Sequence, residues 1–346
     1  MKAGKRSRRG VKRALVILSV IVVLAAFLVP LIYGFAMSFK SVEQITSSYS
    51  AVLPRSPATV KLQGKDLELY YVPMPDGTTK ALAAVEKTRA STTFADPADA
   101  MAAPLEWKGN WRTLKPVMKL DPHEENYSSA WNMISFPILL KNTFVYAFLN
   151  TIGILLSSSF VAYGFSRFKF PGKGPLFIIV MSTMILPSAV TLIPTYTVFQ
   201  AIGWVGTWLP LIVPAFFSNA YNIFLLRQFY MSIPQEMDDA ARIDGANPIQ
   251  ILYRIIIPQA VPALVAAGLF NFFYCWNDYF SPIVYLAGKS KLYPISVGLG
   301  MFSGMFSTRV ALVQAATVMS CVVPVVIFFF TQRFFMQGVV VTGVEK

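Results

Sequence analysis

The stretch "SIPQEMDDAARIDGANPIQILYRIIIPQ", Ser232–Gln259, lies between two strongly apolar segments and holds the densest charge in the second half of the chain. Ser232 followed by Ile-Pro-Gln is a capping-box pattern, with Ser at the N-cap and Gln235 at N3. It predicts a helix from about Ile233 to Ile243, with Met237, Ala240 and Ala241 on one face. Glu236, Asp238 and Asp239 load its first turns with negative charge, which suits the positive end of the helix dipole. Gly245 fits a left-handed helix stop. Asn247 and Pro248 then read as a second N-cap and N1. The following helix carries Ile249, Leu252 and Ile256 on one face, and Pro258 is expected to end it.

The stretch is therefore a short helix, a glycine turn and another short helix. Such a hairpin could lie at the lipid interface or dock into another protein. Its acidic first helix would be repelled by an anionic cytoplasmic leaflet. An alanine-rich face beside acidic residues suits docking into a protein groove.

Working outward, the chain of 346 residues is 55% hydrophobic and only 14% charged. Soluble domains carry about a quarter charged residues, so the composition points to an integral membrane protein. The net charge is +13, with Lys2, Lys5, Arg6, Arg8, Arg9, Lys12 and Arg13 crowded at the start. Directly before a long apolar run, this cluster reads as a cytoplasmic topology anchor, and no nucleic-acid partner is expected. The apolar run is longer than the core of a secretory signal, so it is read as a retained span. Cys275 and Cys321 both lie in apolar segments, and His123 is the sole histidine, so neither a disulfide framework nor a transition-metal site is expected.

Six segments reach the length needed to span a bilayer: Ala14–Met37, Leu140–Phe165, Pro175–Phe199, Trp208–Tyr230, Ala260–Leu286 and Val310–Phe335. Basic residues in the short loops place both termini and the opening hairpin in the cytoplasm. The expected organisation is residues 1–38 as basic tail and first span, 39–137 outside, and 138–346 as a five-helix core containing the loop 232–258. In the outer segment, apolar and polar residues alternate around the turn signals Gln63-Gly64 and Asp76-Gly77. "PLEWKGNWRTLKPVMKL" reads as a further strand pair about Gly109-Asn110, and "ASTTFADPADAMAAP" as a loop. The fold class is thus an all-α polytopic membrane protein with a small β-rich extracytoplasmic insert at about 53–120.

The hairpin also resembles the signature loop of binding-protein-dependent ABC importer permeases. Their pattern is Glu-Ala-Ala, three residues, Gly, nine residues, then Ile-x-Leu-Pro. It maps onto Asp239-Ala240-Ala241, Gly245, Ile255, Ile257 and Pro258, with Asp239 and Ile257 standing where Glu and Leu are usual. "MILPSAVTLIPTYTVFQAIGWVGTW", "FYCWNDYFSPIVYL" and "TQRFFMQGVVVTG" resemble the smaller permease subunit of the maltose-type carbohydrate importers. The insert is longer than that subunit's usual outer loop.

What the resemblance implies is an importer of sugars or sugar derivatives. Its partners would be a second, larger permease subunit, two ATPase subunits and an extracytoplasmic solute-binding protein. Glu236, Asp239, Ala240, Ala241, Asp244, Gly245, Ala246 and Pro258 would form the coupling loop that enters a cleft on the ATPase. No cofactor is expected on this chain; ATP and Mg would be used by the partner. The nearest approach to a phosphate-binding loop is Gly288-Lys289-Ser290, but the first glycine of that motif would fall on Ile283. The chain is therefore not expected to be an enzyme.

Polar residues inside spans face cavities or neighbouring helices. Asn219, Asn222, Asn271, Tyr274, Trp276, Asn277, Asp278 and Gln314 are candidates for a substrate pathway, since amides and carboxylates pair with sugar hydroxyls. Helix–helix hydrogen bonding is the competing reading for the asparagines, and the expected role of Asn150 and Ser157–Ser159. Three other readings remain open at this point: a stand-alone secondary transporter, with Asp278 as its coupling carboxylate, an ABC permease for a non-sugar solute, and a membrane-anchored sensor or assembly factor that uses the β-rich insert and transports nothing.

Overall fold

The structure, a computed structural model, describes residues 2–47, 49, 52–62, 64–74, 76–88, 91–99, 103–305 and 309–341. The chain forms two compact units: Met1–Ser129 with Thr308–Val318, and Ala130–Ser307 with Met319–Lys346.

The first unit opens with α1 (Lys2–Ser38). Its apolar part, Lys12–Ser38, is 27 residues, or about 40 Å of helix, more than the hydrocarbon thickness of a bilayer. A single turn of helix follows, α2 (Val42–Thr46), started by a capping box between Ser41 and Gln44. Eight strands come next: β1 (Arg55–Pro57), β2 (Thr59–Leu62), β3 (Lys65–Pro73), β4 (Thr79–Lys87), β5 (Ser91–Ala95), β6 (Leu105–Lys108), β7 (Lys115–Pro116) and β8 (Met118–Leu120). The main sheet is an antiparallel meander in the order β2-β3-β4-β5-β6, with β7 also paired to β3; β1 and β8 form a separate ribbon. Tyr70, Val72, Leu82, Ala84, Phe94 and Leu114 make its core.

Two expectations for the insert are corrected. β5 lies in the stretch expected to be a loop. Thr92 and Phe94 alternate inward there, and an aromatic beside β-branched threonines suits a half-buried strand. The strand pair expected about Gly109-Asn110 does not form. β6 pairs with β5 and β7 with β3, because Asn110 caps a short 3₁₀ turn at Trp111–Thr113 that turns the chain away. Gln63, Ala90 and residues 100–102 of these stretches lie outside the described residues.

The helices that follow are α3 (Glu125–Met133), α4 (Phe136–Arg167), α5 (Lys173–Ser182), α6 (Ser188–Ala201), α7 (Leu209–Ile212), α8 (Ala220–Ser232), α9 (Gln235–Ile243), α10 (Pro248–Ile251), α11 (Ile257–Gln259), α12 (Val261–Asn277), α13 (Phe280–Tyr285), α14 (Ile295–Met305) and α15 (Val310–Val341). Among the described residues, four helical stretches are long and apolar enough to cross a membrane, and up to six if two bent pairs each count as one span.

The bends correct two of the expected spans. The third is broken by 99° between Lys173–Ile185 and Ala189–Ala201, with Leu186 and Pro187 extended. The residue before a proline is pushed out of the helical region. The fifth ends at Asn277 instead of running to Leu286, because extended Asp278 uses its carboxylate to cap the next helix, accepting from Ser281 N–H at 3.1 Å. α12 also meets the hairpin at an 80° bend.

α4 is the hub of the second unit. It borders an apolar cluster with α12, α13 and the start of α14, and a second cluster with α8, α12 and the hairpin. The Phe216 ring lies against Gly153, where an added Cβ would sit 2.7 Å from it.

Candidate functional site

The hairpin emerges from the residues largely as read, with two corrections at its ends. Ser232 is not a cap. It is the last residue of α8, and its hydroxyl donates back to the Phe229 carbonyl at 2.7 Å. Ile233 and Pro234 are extended, and α9 starts at Gln235 without a side-chain cap. The apolar stripe of α8 continues to Tyr230, which is buried; packing carries that helix past the local cap signal. At the other end, Pro258 does not stop the chain. A π-turn at Leu252–Ile256 lets the helix run through Pro258 to Gln259, and the bend falls at Ala260. A wider turn accommodates the proline's missing N–H.

Between these ends α9 closes in a Schellman motif. Gly245 N–H donates to Arg242 O at 3.0 Å and Ala246 N–H to Ala241 O at 2.9 Å, with Gly245 at φ +81°. Asn247 and Gln250 then exchange side-chain to backbone bonds, both 2.9 Å, a capping box that starts α10. Ile251, Leu252 and Ile256 are buried, whereas Ile249, expected on their face, is exposed. Glu236, Asp239, Ala240, Asp244 and Gly245 are exposed, and Ala241 and Ala246 half-buried. Ile243 stands 87% exposed at the tip. A fully exposed isoleucine between alanines and carboxylates is a surface shaped to be covered.

Asp238 behaves differently from its neighbours. It is the one buried residue of α9, and its Oδ2 lies 3.0 Å from Arg167 Nε, both side chains 3% exposed. Burial pushes this carboxyl up from the usual range, against the opposing pull of Arg167 and then Arg242. The sequence reading gave Asp238 only as helix-dipole charge and missed its pairing with Arg167. A trace of it was present: Asp238 lies three residues from Ala241 and so shares its inward face, while Asp239 faces Arg242, 3.3 Å away in the open.

The second feature is a cavity of about 610 Å³ in the second unit. Asn150, Ser218, Asn219, Tyr221, Asn222, Phe270, Asn271 and Tyr274 supply its polar and aromatic lining. It forms where the helical path through Leu209–Ser232 breaks. α7 passes into a 3₁₀ turn at Val213–Phe217, Ser218 takes φ +72°, and α8 restarts with Asn219 as its N-cap. Asn219 Oδ1 accepts from Asn222 N–H and Nδ2, each at 2.9 Å.

The break is held by hydrogen bonds from α4. Asn150 Nδ2 donates to Leu211 O (2.7 Å), Ser157 Oγ to Ala215 O (2.9 Å), and Ser158 Oγ meets Ser218 Oγ at 2.6 Å. Asn271 Nδ2 donates to Asn150 Oδ1 at 2.9 Å, joining α12 to the network. Each bond satisfies a polar group that lipid could not.

Of the eight pathway candidates, this geometry brings together Asn219, Asn222, Asn271 and Tyr274. It places the other four elsewhere. Trp276 is buried in the apolar cluster, stacked on Phe272 at 5.7 Å. Asn277 donates to Phe273 O. Asp278 accepts from Tyr146 O–H at 2.9 Å, besides capping α13. Gln314 belongs to the first unit, where its Oε1 packs against Gly34. Ser218, Tyr221 and Phe270 were missed. The signal for the break is Pro210 and Pro214 four residues apart, which interrupt a helix just before Ser218.

Among the described residues, apolar spans around an open cavity lined in part by asparagines, and a hairpin with an uncovered tip, define a multi-pass membrane permease. Residues 150–340 match the family described as the binding-protein-dependent transport system inner membrane component, and the chain belongs to that family of ABC importer permeases. Similar proteins include a probable ABC transporter permease of Pyrococcus horikoshii, 33% identical over 225 residues, covering 64% of this chain and 81% of that protein. The sn-glycerol-3-phosphate transport system permease UgpE of Yersinia pestis is 32% identical over 227 residues, covering 62% and 79%. Among solved structures, one chain of a bacterial ABC transporter involved in the import of the acidic polysaccharide alginate aligns with a TM-score of 0.65 at 23% identity. The alignment covers 93% of this chain and 97% of that one. The two share a fold, and the coverage is too large to leave the insert out.

Proposed function

We propose that this chain is the smaller permease subunit of an ATP-driven importer that takes a sugar or sugar derivative from an extracytoplasmic binding protein into the cytoplasm. It works beside a larger permease and on two copies of a separate ATPase subunit, which use the ATP and Mg. It crosses the membrane six times, with both termini in the cytoplasm. The observation that carries this reading is the hairpin tip. Ala240, Ile243 and Gly245 are exposed beside Glu236, Asp239 and Asp244, on a loop rigidified by a Schellman motif and a capping box. A rigid protrusion with small apolar side chains and flanking carboxylates fits a protein cleft. Closure of the ATPases would then move the hairpin and bias the permease between inward and outward states.

The cavity at the α8 break is the stretch of pathway this subunit contributes. Amides of Asn219, Asn222 and Asn271 suit hydroxyl groups, and Tyr274, 68% exposed, offers an aromatic face. A polyhydroxylated solute matches that chemistry, as does the relative named for sn-glycerol 3-phosphate. Asp278 is tied up by Tyr146 and Ser281, which leaves the secondary-transporter reading without its coupling carboxylate.

The test is co-purification of the ATPase subunit and uptake by the reconstituted importer, comparing wild type with Gly245→Asp. The φ of +81° is strained for any side chain, and a carboxylate there would enter the docking surface. Loss of co-purification and uptake is expected. A folded variant with full ATP-driven uptake would remove the coupling role.

A further inference from the structure

Arg167 ends α4 and Asp238 sits in the first turns of α9. Their ion pair, 3.0 Å long and 3% exposed on each side, is the most deeply buried one among the described residues. Arg167 makes a second contact: Nη2 donates to the Ile233 carbonyl at 2.9 Å. Ile233 belongs to the extended link by which the chain enters the hairpin, so one guanidinium grips both the link and the helix it leads to. Nothing else of α9 is fully buried, and neither oxygen of the Asp238 carboxylate nor Arg167 Nε makes a hydrogen bond among the described residues, so charge at 3.0 Å is what joins the two. A buried carboxylate whose one ion-pair partner is an arginine is tightly committed to it, because losing that arginine strands a desolvated charge.

α4 continues away from this pair to Asn150, seventeen residues earlier in sequence, about 25 Å along a helix. Asn150 lines the cavity and holds the helix break through Leu211 O. One continuous helix thus joins the base of the hairpin to the wall of the cavity.

We propose that Arg167 and Asp238 form a latch that makes α9 and α4 move as one body, so that displacement of the docked hairpin is delivered to the cavity wall. The inference rests on the reading of the hairpin as the coupling loop. Both residues are positioning residues; neither touches solute or nucleotide. The guanidinium reaches two partners from separate nitrogens, Nε beside the Asp238 carboxylate and Nη2 bonded to the Ile233 carbonyl, which a lysine ammonium does not reproduce.

The test uses the whole importer, assembled with its partner permease and ATPases in lipid, and needs no transported solute. With Cys321→Ser removing the exposed native thiol, a Tyr274→Cys reporter in the cavity is modified with a membrane-impermeant methanethiosulfonate reagent, with and without trapping by ATP and vanadate. In the wild-type background, trapping changes the modification rate. Arg167→Ala and Asp238→Ala are expected to keep assembly and basal ATP hydrolysis while shrinking that change about tenfold. The reversed pair, Arg167→Asp with Asp238→Arg, is expected to restore most of it, and Arg167→Lys to fall between.

A full reporter change in either alanine variant overturns the latch. So does a reversed pair that assembles and hydrolyses ATP yet stays uncoupled. If the alanine variants do not assemble, Arg167→Lys decides: a wild-type change overturns the proposal, and a reduced change with normal hydrolysis supports it. A reporter unaffected by trapping in the unaltered hairpin overturns the coupling reading itself, a separate outcome.

Discussion

The two halves of the hairpin are held in opposite ways. α9 exposes nearly everything, buries one ion pair and adds only Ala241 to the apolar cluster beneath it. The segment from Asn247 to Gln259 starts with a capping box and is fixed by apolar burial of Ile251, Leu252 and Ile256. An ion pair specifies one position and orientation at considerable desolvation cost, whereas apolar packing stabilises without specifying direction. A helix that must transmit a push benefits from the first. A segment that anchors the loop to the membrane core needs only the second.

Substitutions can break that contrast, and the largest effect is expected where charge is stranded. Asp238→Ala should lower the unfolding free energy in detergent by about 3–5 kcal/mol, while Asp239→Ala, in the exposed pair, should stay within about 0.5 kcal/mol. Equal losses would erase the distinction between the two aspartates. Next comes Ile256→Ala, expected to cost about 2–4 kcal/mol through the cavity it leaves in the packed half; a negligible change in melting would show that the half is not held by packing. Gly245→Ala should cost about 1–2 kcal/mol, since it forces a Cβ into a left-handed turn, with no crowding because the space around it is open. The smallest test compares caps. Asn247→Ala should lose about 1 kcal/mol and Ser232→Ala almost nothing, and amide exchange at the two helix starts would reveal a reversal.

The caps show how far local sequence reaches. Asn247 begins its helix as read, because its partner Gln250 is three residues away and every interaction is local. Ser232 had an equally good local pattern and does not cap, because α8 packs on past it. The insert repeats the lesson. Its strand alternation was readable through most of the meander, but pairing depends on which strand ends up adjacent, so β6 and β7 found partners other than each other.

Within the membrane segments, four pathway candidates line one cavity because the break at Ser218–Asn219 and the hydrogen bonds of Asn150 and Asn271 gather them. Asp278 follows Asn271 by seven residues, a helical spacing, but the helix ends before it and Tyr146 claims the carboxylate.

By itself, then, the sequence determined what is set by composition and short spacing: a membrane chain, its apolar spans, the β-rich insert, and a hairpin turned at Gly245 and capped at Asn247. Only the tertiary structure decided which charges are buried, which polar groups share a cavity, and which proline bends a span. Arg167 and Asp238 lie 71 residues apart, and neither carries any local mark of the other. Burial is a property of everything that packs around a residue, so two adjacent aspartates of identical chemistry become an inner anchor and an outer charge.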